Sequence, residues 1–388
     1  MDSAPDSMAR ELNNHGEGLE GVVAARTSIS LIKGEEGELR YRGYSIDDLA
    51  EHASFEEVVH LLWHGDLPNL KQLDGFDRQL KSARTLDREV LAFIEQKLRS
   101  VSPPDALRTV VSYLGGRDPD ANDSSEAANL RKGLRLAASL PAIAASHYRI
   151  SCGLEAIDPD SSSDRSQSHA EHLLHVLGVQ PTDSAGSALN VAMVVQADHG
   201  FNASTFSARV TAGTLADLHS AVTAAIATLK GPLHGGATKA VFEFIEGAGD
   251  RRKIRDAVDR ALKSRRLVPG FGHRVYKTID PRTRHLKNSL QRLIEAGADD
   301  KWFQWAEALE DAMARRKQLV PNLDLYLAPL YLTIGIPVEL FTSMFACARV
   351  AGWVAHVAEQ HSDNRLIRPI EEYIGPLSRP YRDLKERE

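Results

Sequence analysis

The chain has 388 residues, of which 43% are hydrophobic and 26% charged, with a formal net charge of -6 at pH 7. A chain of this length and apolar content can bury a large core and divide into two or three domains. The slightly acidic balance excludes a global attraction to nucleic acid or anionic membranes, so any site for an anionic ligand has to be local.

Cysteine usage and the N-terminal composition predict a cytoplasmic protein. Cys152 and Cys347 lie far apart and have neither metal-ligand nor redox spacing, which favours a reducing compartment. Residues 1–18 lack the apolar centre of a signal peptide and the arginine-rich face of a transit peptide. No uninterrupted run approaches the roughly 20 apolar residues that a membrane span requires, so we expect no membrane partner.

The first regular structure along the chain is predicted to be a β-hairpin. After 15 residues that we expect to be mobile, the segment from Thr27 to Gly43 alternates apolar and polar residues. Ile29 and Leu31 would share one face, and the turn would fall at Gly34 to Gly37. This is the one β-structure that the sequence predicts.

The rest of the chain has helical periodicity. Ser54 begins a capping box with Glu57, and Gly65 closes that helix. Pro103 and Pro104 precede another helix, which ends at Gly115 and Gly116. A 3.6-residue period predicts further helices over Ser187 to Asp198, Thr214 to Lys230, Thr238 to Gly247, Lys253 to Arg265 and Trp302 to Gln318. The predicted fold class is all-α, with at most one small hairpin.

One helix is apolar on nearly every side and carries an arginine in its middle. The run from Val338 to Gln360 is typical of a helix that is buried on most faces. A buried guanidinium without a partner costs several kcal/mol, so Arg349 requires a carboxylate. The partner would be either a protein side chain, in an internal salt bridge, or a ligand.

The most informative motif is PGFGHRVYKTIDPR, from Pro269 to Arg282. Two glycines allow close approach of the backbone to a ligand, and His273 offers a donor or a proton near neutral pH. Arg282 and its basic neighbours are suited to carboxylate or phosphate. The motif predicts a turn that binds an anionic ligand, although a basic loop facing solvent is the simpler alternative.

Two shorter motifs flank it. In GPLHGGA, from Gly231 to Ala237, His234 precedes a helical run, and the helix dipole there favours the neutral ring as a hydrogen-bond donor. In PNLD, from Pro321 to Asp324, the carboxylate is followed by apolar residues. Apolar surroundings raise the pKa of a carboxyl group, which suits a general base.

With these motifs in this order, the chain resembles the citrate synthase family, in its smaller bacterial and archaeal form. The resemblance covers nearly the whole chain and includes five further blocks: GLEGVVAARTSISLI, ELRYRGYSIDDLAEHASFEEVVHLLWHG, ADHGFNASTFSARV, FACARVAGWVAHVAEQ and NRLIRPIEEYIG. The related 2-methylcitrate synthases share these blocks, so family and acyl substrate are separate questions.

The resemblance implies condensation of acetyl-CoA with oxaloacetate and hydrolysis to citrate and CoA, without a metal or a bound cofactor. It implies that Asp324 is the base, that His234 binds the thioester oxygen and that His273 polarises the keto group. The oxaloacetate contacts would be His199, Arg282, Arg349 and Arg368. The CoA contacts would be Val268, Pro269, Gly270, Phe271, Gly272 and Lys277.

The resemblance also implies a homodimer in which Arg368 enters the partner subunit's site. It implies a large helical domain formed by residues 1–225 and 332–388, and a small inserted domain formed by residues 226–331. Two alternatives remain open from the sequence: a 2-methylcitrate synthase that uses propionyl-CoA, which differs by one methyl group, and a helical dimeric scaffold without activity.

Other patterns have simpler interpretations. His169, His172 and His175 share roughly one helical face and could ligate a metal, but the aliphatic residues between them favour core packing, and we expect no metal site. The segment Arg251 to Arg266 could bind phosphate, although a solvated amphipathic helix explains it more simply. The low-complexity run Asp158 to Ser168 is predicted to be a solvated connection.

Overall fold

The computed structural model describes residues 17–158, 167–180, 182–317 and 319–387, and over these ranges the protein is almost entirely helical. The first 15 residues and residues 159–166 of the low-complexity run lie outside the described residues. The predicted all-α class is confirmed.

Sixteen α-helices form within the described ranges. In chain order they are α1 (Ile46–His52), α2 (Phe55–His64), α3 (Leu70–Ser82), α4 (Arg88–Phe93), α5 (Pro103–Gly115), α6 (Glu126–Ser151), α7 (His169–Leu177), α8 (Asp183–Gln196), α9 (Ala203–Gly213), α10 (Leu218–Leu229), α11 (Ala237–Ala248), α12 (Ile254–Lys263), α13 (Pro281–Glu295), α14 (Lys301–Lys317), α15 (Asp324–Thr333) and α16 (Phe341–Ser362). Short 3-10 helices cover Glu17–Leu19, Arg251–Lys253, Val338–Leu340 and Leu384–Glu386, and a π-helical turn covers Ile94–Leu98.

Local capping chemistry sets several of these boundaries. Helix α2 has the predicted capping box between Ser54 and Glu57, and it ends at Gly65 with a left-handed φ of 90°. Helix α10 starts four residues later than predicted from Thr214. The reason is that Asp217 accepts a hydrogen bond from the backbone N–H of Ser220 and so fixes the first turn.

The predicted hairpin is confirmed and gains a short third strand. Strands β1 (Ser30–Lys33), β2 (Glu38–Tyr41) and β3 (Tyr44–Ser45) form an antiparallel sheet in that order. Ile29 is fully buried, but Leu31 is 47% exposed. Within the strands of the sheet, the buried side chains are Leu39 and Tyr41 of β2.

The predicted apolar helix forms the centre of the core. The segment Val338–Ser362 is long and apolar enough to cross a membrane by length and composition, but 94% of its most apolar stretch is buried inside the protein. Its main part, α16, packs against α6, α9 and α10. Burial on most faces, as predicted, is therefore confirmed, and the helix is a core element.

Two groups of packed helices bring the sequence motifs together. Helix α8 packs against α13 and α16, and the turn that follows α8 carries His199. Helix α15, which begins with Asp324, packs against α11 and α13. The candidate site lies where the ends of these helices meet.

Candidate active site

Asp324 is the first residue of α15 and is held from two sides. Its backbone N–H donates to Asn322 Oδ1 at 3.1 Å, which fixes the tight turn before the helix. Thr238 Oγ1 donates to the Asp324 carboxylate at 2.5 Å. Burial raises the pKa of this carboxyl group above its ordinary value, while the hydrogen bond from Thr238 opposes the increase. The predicted direction of the shift is thus found.

The His273 ring is oriented by the backbone of its own turn. Its Nδ1 accepts hydrogen bonds from the N–H groups of Val275 and Tyr276, both at 3.0 Å. Because Nδ1 is an acceptor, the neutral ring carries its proton on Nε2. Burial, together with the nearby positive charge of Arg282, lowers the pKa of His273 to about 4. The ring is therefore a neutral donor through Nε2 over the physiological pH range.

Arg282 is buried and paired with a protein carboxylate that the sequence analysis did not assign. Its Nε and Nη2 donate to the two oxygens of Asp280 at 2.8 and 2.7 Å. Burial disfavours the charge of Arg282, but the ion pair with Asp280 outweighs it and raises the arginine's pKa. Asp280 also accepts from the backbone N–H of Leu323 at 3.1 Å. One carboxylate thus connects Arg282 to the turn that carries Asp324.

The motif itself contained the signal for Asp280. An aspartate directly before Pro281 is a typical N-cap, and Asp280 does accept from the Arg282 N–H at the start of α13. A cap predicts only a local role, however. The bidentate pairing and the contact to Leu323 depend on how α13 and α15 pack together.

His199 lies at the end of the turn after α8, beside the His273 loop. Its Nε2 is 3.1 Å from the Tyr276 hydroxyl, and its ring centroid is 5.3 Å from that of His273. Burial, with Arg282 and His273 close by, holds the pKa of His199 well below its usual value. Tyr276 was also not assigned from the sequence, because a tyrosine within a basic loop has no diagnostic spacing.

Arg349 enters the same region from α16. Its Nε donates to the carbonyl oxygen of Gln196 at 2.5 Å, and its guanidinium lies 4.8 Å from the centre of the Phe345 ring. Burial lowers its pKa to about 10, although the charge of Asp198 opposes this effect. Within the described residues, no ion pair joins Arg349 to a carboxylate. The internal salt bridge considered from the sequence is therefore not formed here.

His234 lies in the turn before α11 and faces Ser204. Its Nε2 is 2.9 Å from Ser204 Oγ, which also accepts from Trp353 Nε1 at 3.2 Å. Its ring centroid is 6.4 Å from that of Phe345. Burial lowers the pKa of His234 to about 4, with a smaller effect from Arg349. The neutral ring predicted from the sequence is the form present near neutral pH.

The glycine-rich loop packs against the PNLD turn. Gly270 and Gly272 have left-handed φ values of 86° and 78°, which favour glycine. Asn322 donates through its backbone N–H to the Gly270 carbonyl at 3.0 Å and through Nδ2 to the Gly272 carbonyl at 2.9 Å. Phe271 and Pro321 form an isolated β-bridge. Two motifs that are about 50 residues apart in sequence thus form one unit.

The remaining predicted contacts lie at the edge of this region or outside it. In the loop, Val268 is buried, whereas Lys277 is exposed. The Arg368 side chain is 64% exposed and lies 3.6 Å from Glu371, and it donates to the carbonyl of its neighbour Pro369. The chain therefore brings together six of the seven predicted catalytic and oxaloacetate-binding residues; Arg368 is the seventh.

The histidine face considered as a metal site belongs to the core. His169 and His172 are buried in α7, and burial lowers the pKa of His172 to about 3. Over the described ranges, no group of three or more His, Cys, Asp or Glu side chains is arranged to hold a metal ion. The basic segment forms the amphipathic helix α12, which buries Ile254, Val258 and Ala261.

Comparison with known proteins finds relatives that cover nearly the whole chain. The family model described as "Citrate synthase, C-terminal domain" matches residues 18–370. Citrate synthase 2 of Bacillus subtilis (strain 168) is 42% identical over 95% of this chain and 98% of its own. The 2-methylcitrate synthase 2 of Corynebacterium glutamicum is 41% identical over 96% of this chain and 97% of its own.

A solved structure has the same fold. The citrate synthase of Thermoplasma acidophilum, in a ternary complex with carboxymethyl coenzyme A and oxaloacetate, superposes with a TM-score of 0.88 at 31% identity. The match covers 96% of this chain and 99% of that one. The chain therefore belongs to the citrate synthase family, whose members are acyltransferases.

Proposed function

We propose that the chain condenses acetyl-CoA with oxaloacetate and hydrolyses the resulting thioester to citrate and CoA. The observation that carries this proposal is the meeting of Asp324, His234 and His273 beside two buried arginines, in a chain of this family. Both histidines are neutral near neutral pH, as the chemistry requires.

The first step would be removal of a methyl proton from acetyl-CoA. Such a carbon acid is very weak, so the oxygen of the developing enolate requires a donor while Asp324 takes the proton. His234 would donate through Nδ1, because its Nε2 already faces Ser204. In that tautomer Ser204 donates its hydroxyl proton to His234. The competing acceptor, Asn202 Oδ1, lies 2.7 Å from the same hydroxyl and also accepts hydrogen bonds from the backbone N–H groups of Ser204 and Thr205 at the start of α9.

The enol carbon would then attack the keto carbon of oxaloacetate. His273 Nε2–H, fixed by the backbone bonds to Nδ1, would donate to the keto oxygen and stabilise the forming alkoxide. Arg349 would bind one carboxylate of oxaloacetate, with His199 adding a further contact. Arg282 would contribute through Nη1, since its Nε and Nη2 are paired with Asp280. Water would finally hydrolyse the thioester and release CoA.

We propose that the loop formed by residues 268–272 binds the adenine of CoA through its backbone groups. Its left-handed glycines and its attachment to Asn322 keep the backbone open to a ligand. Lys277 is exposed near this loop and would meet a CoA phosphate.

We further propose a homodimer in which Arg368 acts in the partner subunit's site. This is supported by the exposure of Arg368 in a tail that also exposes Ile370, Ile374 and Leu377 by 77%, 92% and 94%. Three exposed apolar side chains within eight residues of sequence favour an interaction surface. The division into a domain of residues 1–225 and 332–388 and a domain of residues 226–331 also stands as a proposal.

A cytoplasmic location is proposed on the cysteines. Cys152 and Cys347 are both free, and Cys152 is exposed. An exposed free thiol suits a reducing compartment.

The second candidate is the 2-methylcitrate synthase reaction with propionyl-CoA. It is favoured by the relative from Corynebacterium glutamicum, which is 41% identical. One methyl group changes binding by only about 1–3 kcal/mol in an apolar pocket, so a few side chains decide between the two. We prefer acetyl-CoA because the relative from Bacillus subtilis and the solved structure both carry the name citrate synthase.

Thiol release from acetyl-CoA tests the proposal. The purified protein is expected to release CoA only when oxaloacetate is also present, and Asp324→Asn should reduce kcat by at least a hundredfold. The amide retains the shape of the side chain but cannot accept the proton, so the Kd for oxaloacetate should stay within about threefold of the parent. If Asp324→Asn kept a tenth of the parent kcat, Asp324 would not be the base. If the parent itself released no CoA with either acyl-CoA, the scaffold alternative would replace the enzyme.

A further inference from the structure

Thr238 lies in the first turn of α11 and touches the carboxylate of Asp324. Its Oγ1 donates to Asp324 Oδ1 at 2.5 Å, and the side chain is only 2% exposed. The contact spans 86 residues of sequence and depends on the packing of α11 against α15. In the sequence Thr238 is the first residue of a predicted helix, and nothing there indicates a role for its hydroxyl.

This contact distinguishes the two oxygens of the carboxylate. Within the described part of the chain, Thr238 is the one side chain that donates a hydrogen bond to Asp324. Among the described residues no side chain donates to Oδ2, and Asp324 as a residue is partly exposed. A hydrogen bond to an ionised carboxylate is short and strong, and β-branching restricts rotation of the threonine side chain. The donor is thus rigid, and the carboxylate plane is fixed by it.

We propose that Thr238 is a positioning residue that holds Asp324 through Oδ1 and so presents Oδ2 to the methyl group of the acyl substrate. The inference rests on the proposed function, since it assigns a substrate proton to Oδ2. Orientation of this kind matters because misplacing a reacting atom by about 1 Å costs on the order of a hundredfold in rate.

The same hydrogen bond has an electrostatic consequence. Burial raises the pKa of Asp324, and the bond from Thr238 lowers it. Only the ionised carboxylate accepts a proton, so the acid limb of the kcat–pH profile follows this pKa. Removal of the donor raises the pKa further and moves the acid limb to higher pH. Since a hydrogen bond to a charged group contributes about 1.5–3 kcal/mol, a shift of about one pH unit is expected.

Two variants separate the hydroxyl from the shape of the residue. Thr238→Val retains the branched shape without the donor, whereas Thr238→Ser retains the donor. Thr333→Val is the matched control, because Thr333 lies in the same helix as Asp324 and its hydroxyl has no hydrogen-bond partner among the described residues. The kcat–pH profile of CoA release is measured for all three variants and the parent.

The expected result is an acid limb about one pH unit higher in Thr238→Val, a kcat about tenfold lower at pH 8, and an unchanged KM for oxaloacetate. Thr238→Ser and Thr333→Val are both expected to have the acid limb of the kcat–pH profile at the same pH as the parent. A Thr238→Val profile that superimposes on the parent profile would overturn the inference, as would equal shifts in Thr238→Val and Thr333→Val.

A second readout does not require turnover. The carboxyl carbon of Asp324 is titrated by NMR in protein labelled with 13C-aspartate, and its signal is identified by its loss in Asp324→Asn. Thr238→Val should titrate at higher pH than the parent, and an identical titration would contradict the inference. If the parent titrates as expected but releases no CoA, the proposed function fails while the effect of Thr238 on Asp324 is still measured.

Discussion

The two buried arginines of the candidate active site differ in how their charges are balanced. Arg282 has a bidentate carboxylate partner in Asp280, which raises its pKa. Arg349 has a carbonyl and an aromatic ring as neighbours, and burial lowers its pKa to about 10. A buried charge without a carboxylate is unfavourable. Arg349 is therefore the arginine that gains most from a dicarboxylate ligand.

Truncation of Arg349 tests this difference. Arg349→Ala should raise the Kd for oxaloacetate by at least a hundredfold, because a buried carboxylate of the ligand would lose its partner, at a cost of about 3–5 kcal/mol. Arg349→Lys retains the charge without the planar fork of the guanidinium. Its Kd for oxaloacetate should therefore lie between the values of the parent and of Arg349→Ala. Isothermal titration calorimetry measures the Kd, and thermal unfolding shows whether the variants are folded. A Kd within threefold of the parent in a folded Arg349→Ala protein would remove Arg349 from the ligand site.

The sequence indicates the proposed reactive groups of the site but not the groups that orient them. His234, His273 and Asp324 stand in short motifs, where glycine, proline and apolar neighbours already indicate their surroundings. Asp280 and Thr238 act across helix packing, on partners 43 and 86 residues away. No local pattern encodes such contacts, so they become visible only in the folded chain.

At the scale of elements, the small sheet contacts the loop that carries His273. The Lys277 N–H donates to the Gly34 carbonyl at 3.0 Å, and Thr278 Oγ1 donates to the Glu35 carbonyl at 3.2 Å. A Cβ on Gly34 would lie 2.3 Å from the Val275 carbonyl oxygen. The turn between β1 and β2 therefore packs directly on the backbone that follows His273. By the proposed division of the chain, this contact joins the two domains.

Gly34→Ala tests whether this contact supports catalysis. The added methyl group has to displace the backbone of Val275, whose N–H orients His273, so kcat/KM should fall at least tenfold. Gly75→Ala is the matched control, because no atom lies within 4 Å of its added Cβ. Steady-state kinetics with acetyl-CoA and oxaloacetate compares the two variants with the parent. Equal kcat/KM values in both variants would show that the turn has no part in positioning His273.

Helix α2, whose capping box is visible in the sequence, was predicted closely. The box of Ser54 and Glu57 acts within four residues, so the start of α2 can be read from the sequence. Strand β3 has only two residues, and its pairing of Tyr44 with Tyr41 has no periodicity of its own. The exposure of Leu31 likewise depends on which face of the sheet the helices cover. Tertiary packing decides both.

At the scale of the whole molecule, the contacts within a single chain do not account for the exposed side chains of the C-terminal tail. Arg368 and the apolar residues Ile370, Ile374 and Leu377 are exposed in the single chain. The proposed dimer would cover this surface and complete the oxaloacetate site. The sequence alone predicted this arrangement only through the family resemblance, since periodicity does not show which subunit a tail contacts.

Subunit mixing tests the shared site. Asp324→Asn chains and Arg368→Ala chains should each be inactive, and equimolar exchange should restore about a quarter of the parent activity, because half of the dimers then contain one intact site. If Arg368 acts within its own chain, both sites of every mixed dimer stay damaged. Native mass spectrometry confirms the exchange, and inactivity of the exchanged sample would be evidence against the shared site.

The central claim, that the chain forms citrate from acetyl-CoA and oxaloacetate, is tested most directly by product competition. The purified protein is given oxaloacetate with equal concentrations of acetyl-CoA and propionyl-CoA, and both products are measured by mass spectrometry. Under these conditions the product ratio equals the ratio of the two kcat/KM values. We predict that citrate is the main product. An excess of 2-methylcitrate of tenfold or more, or the absence of both products, would contradict the claim.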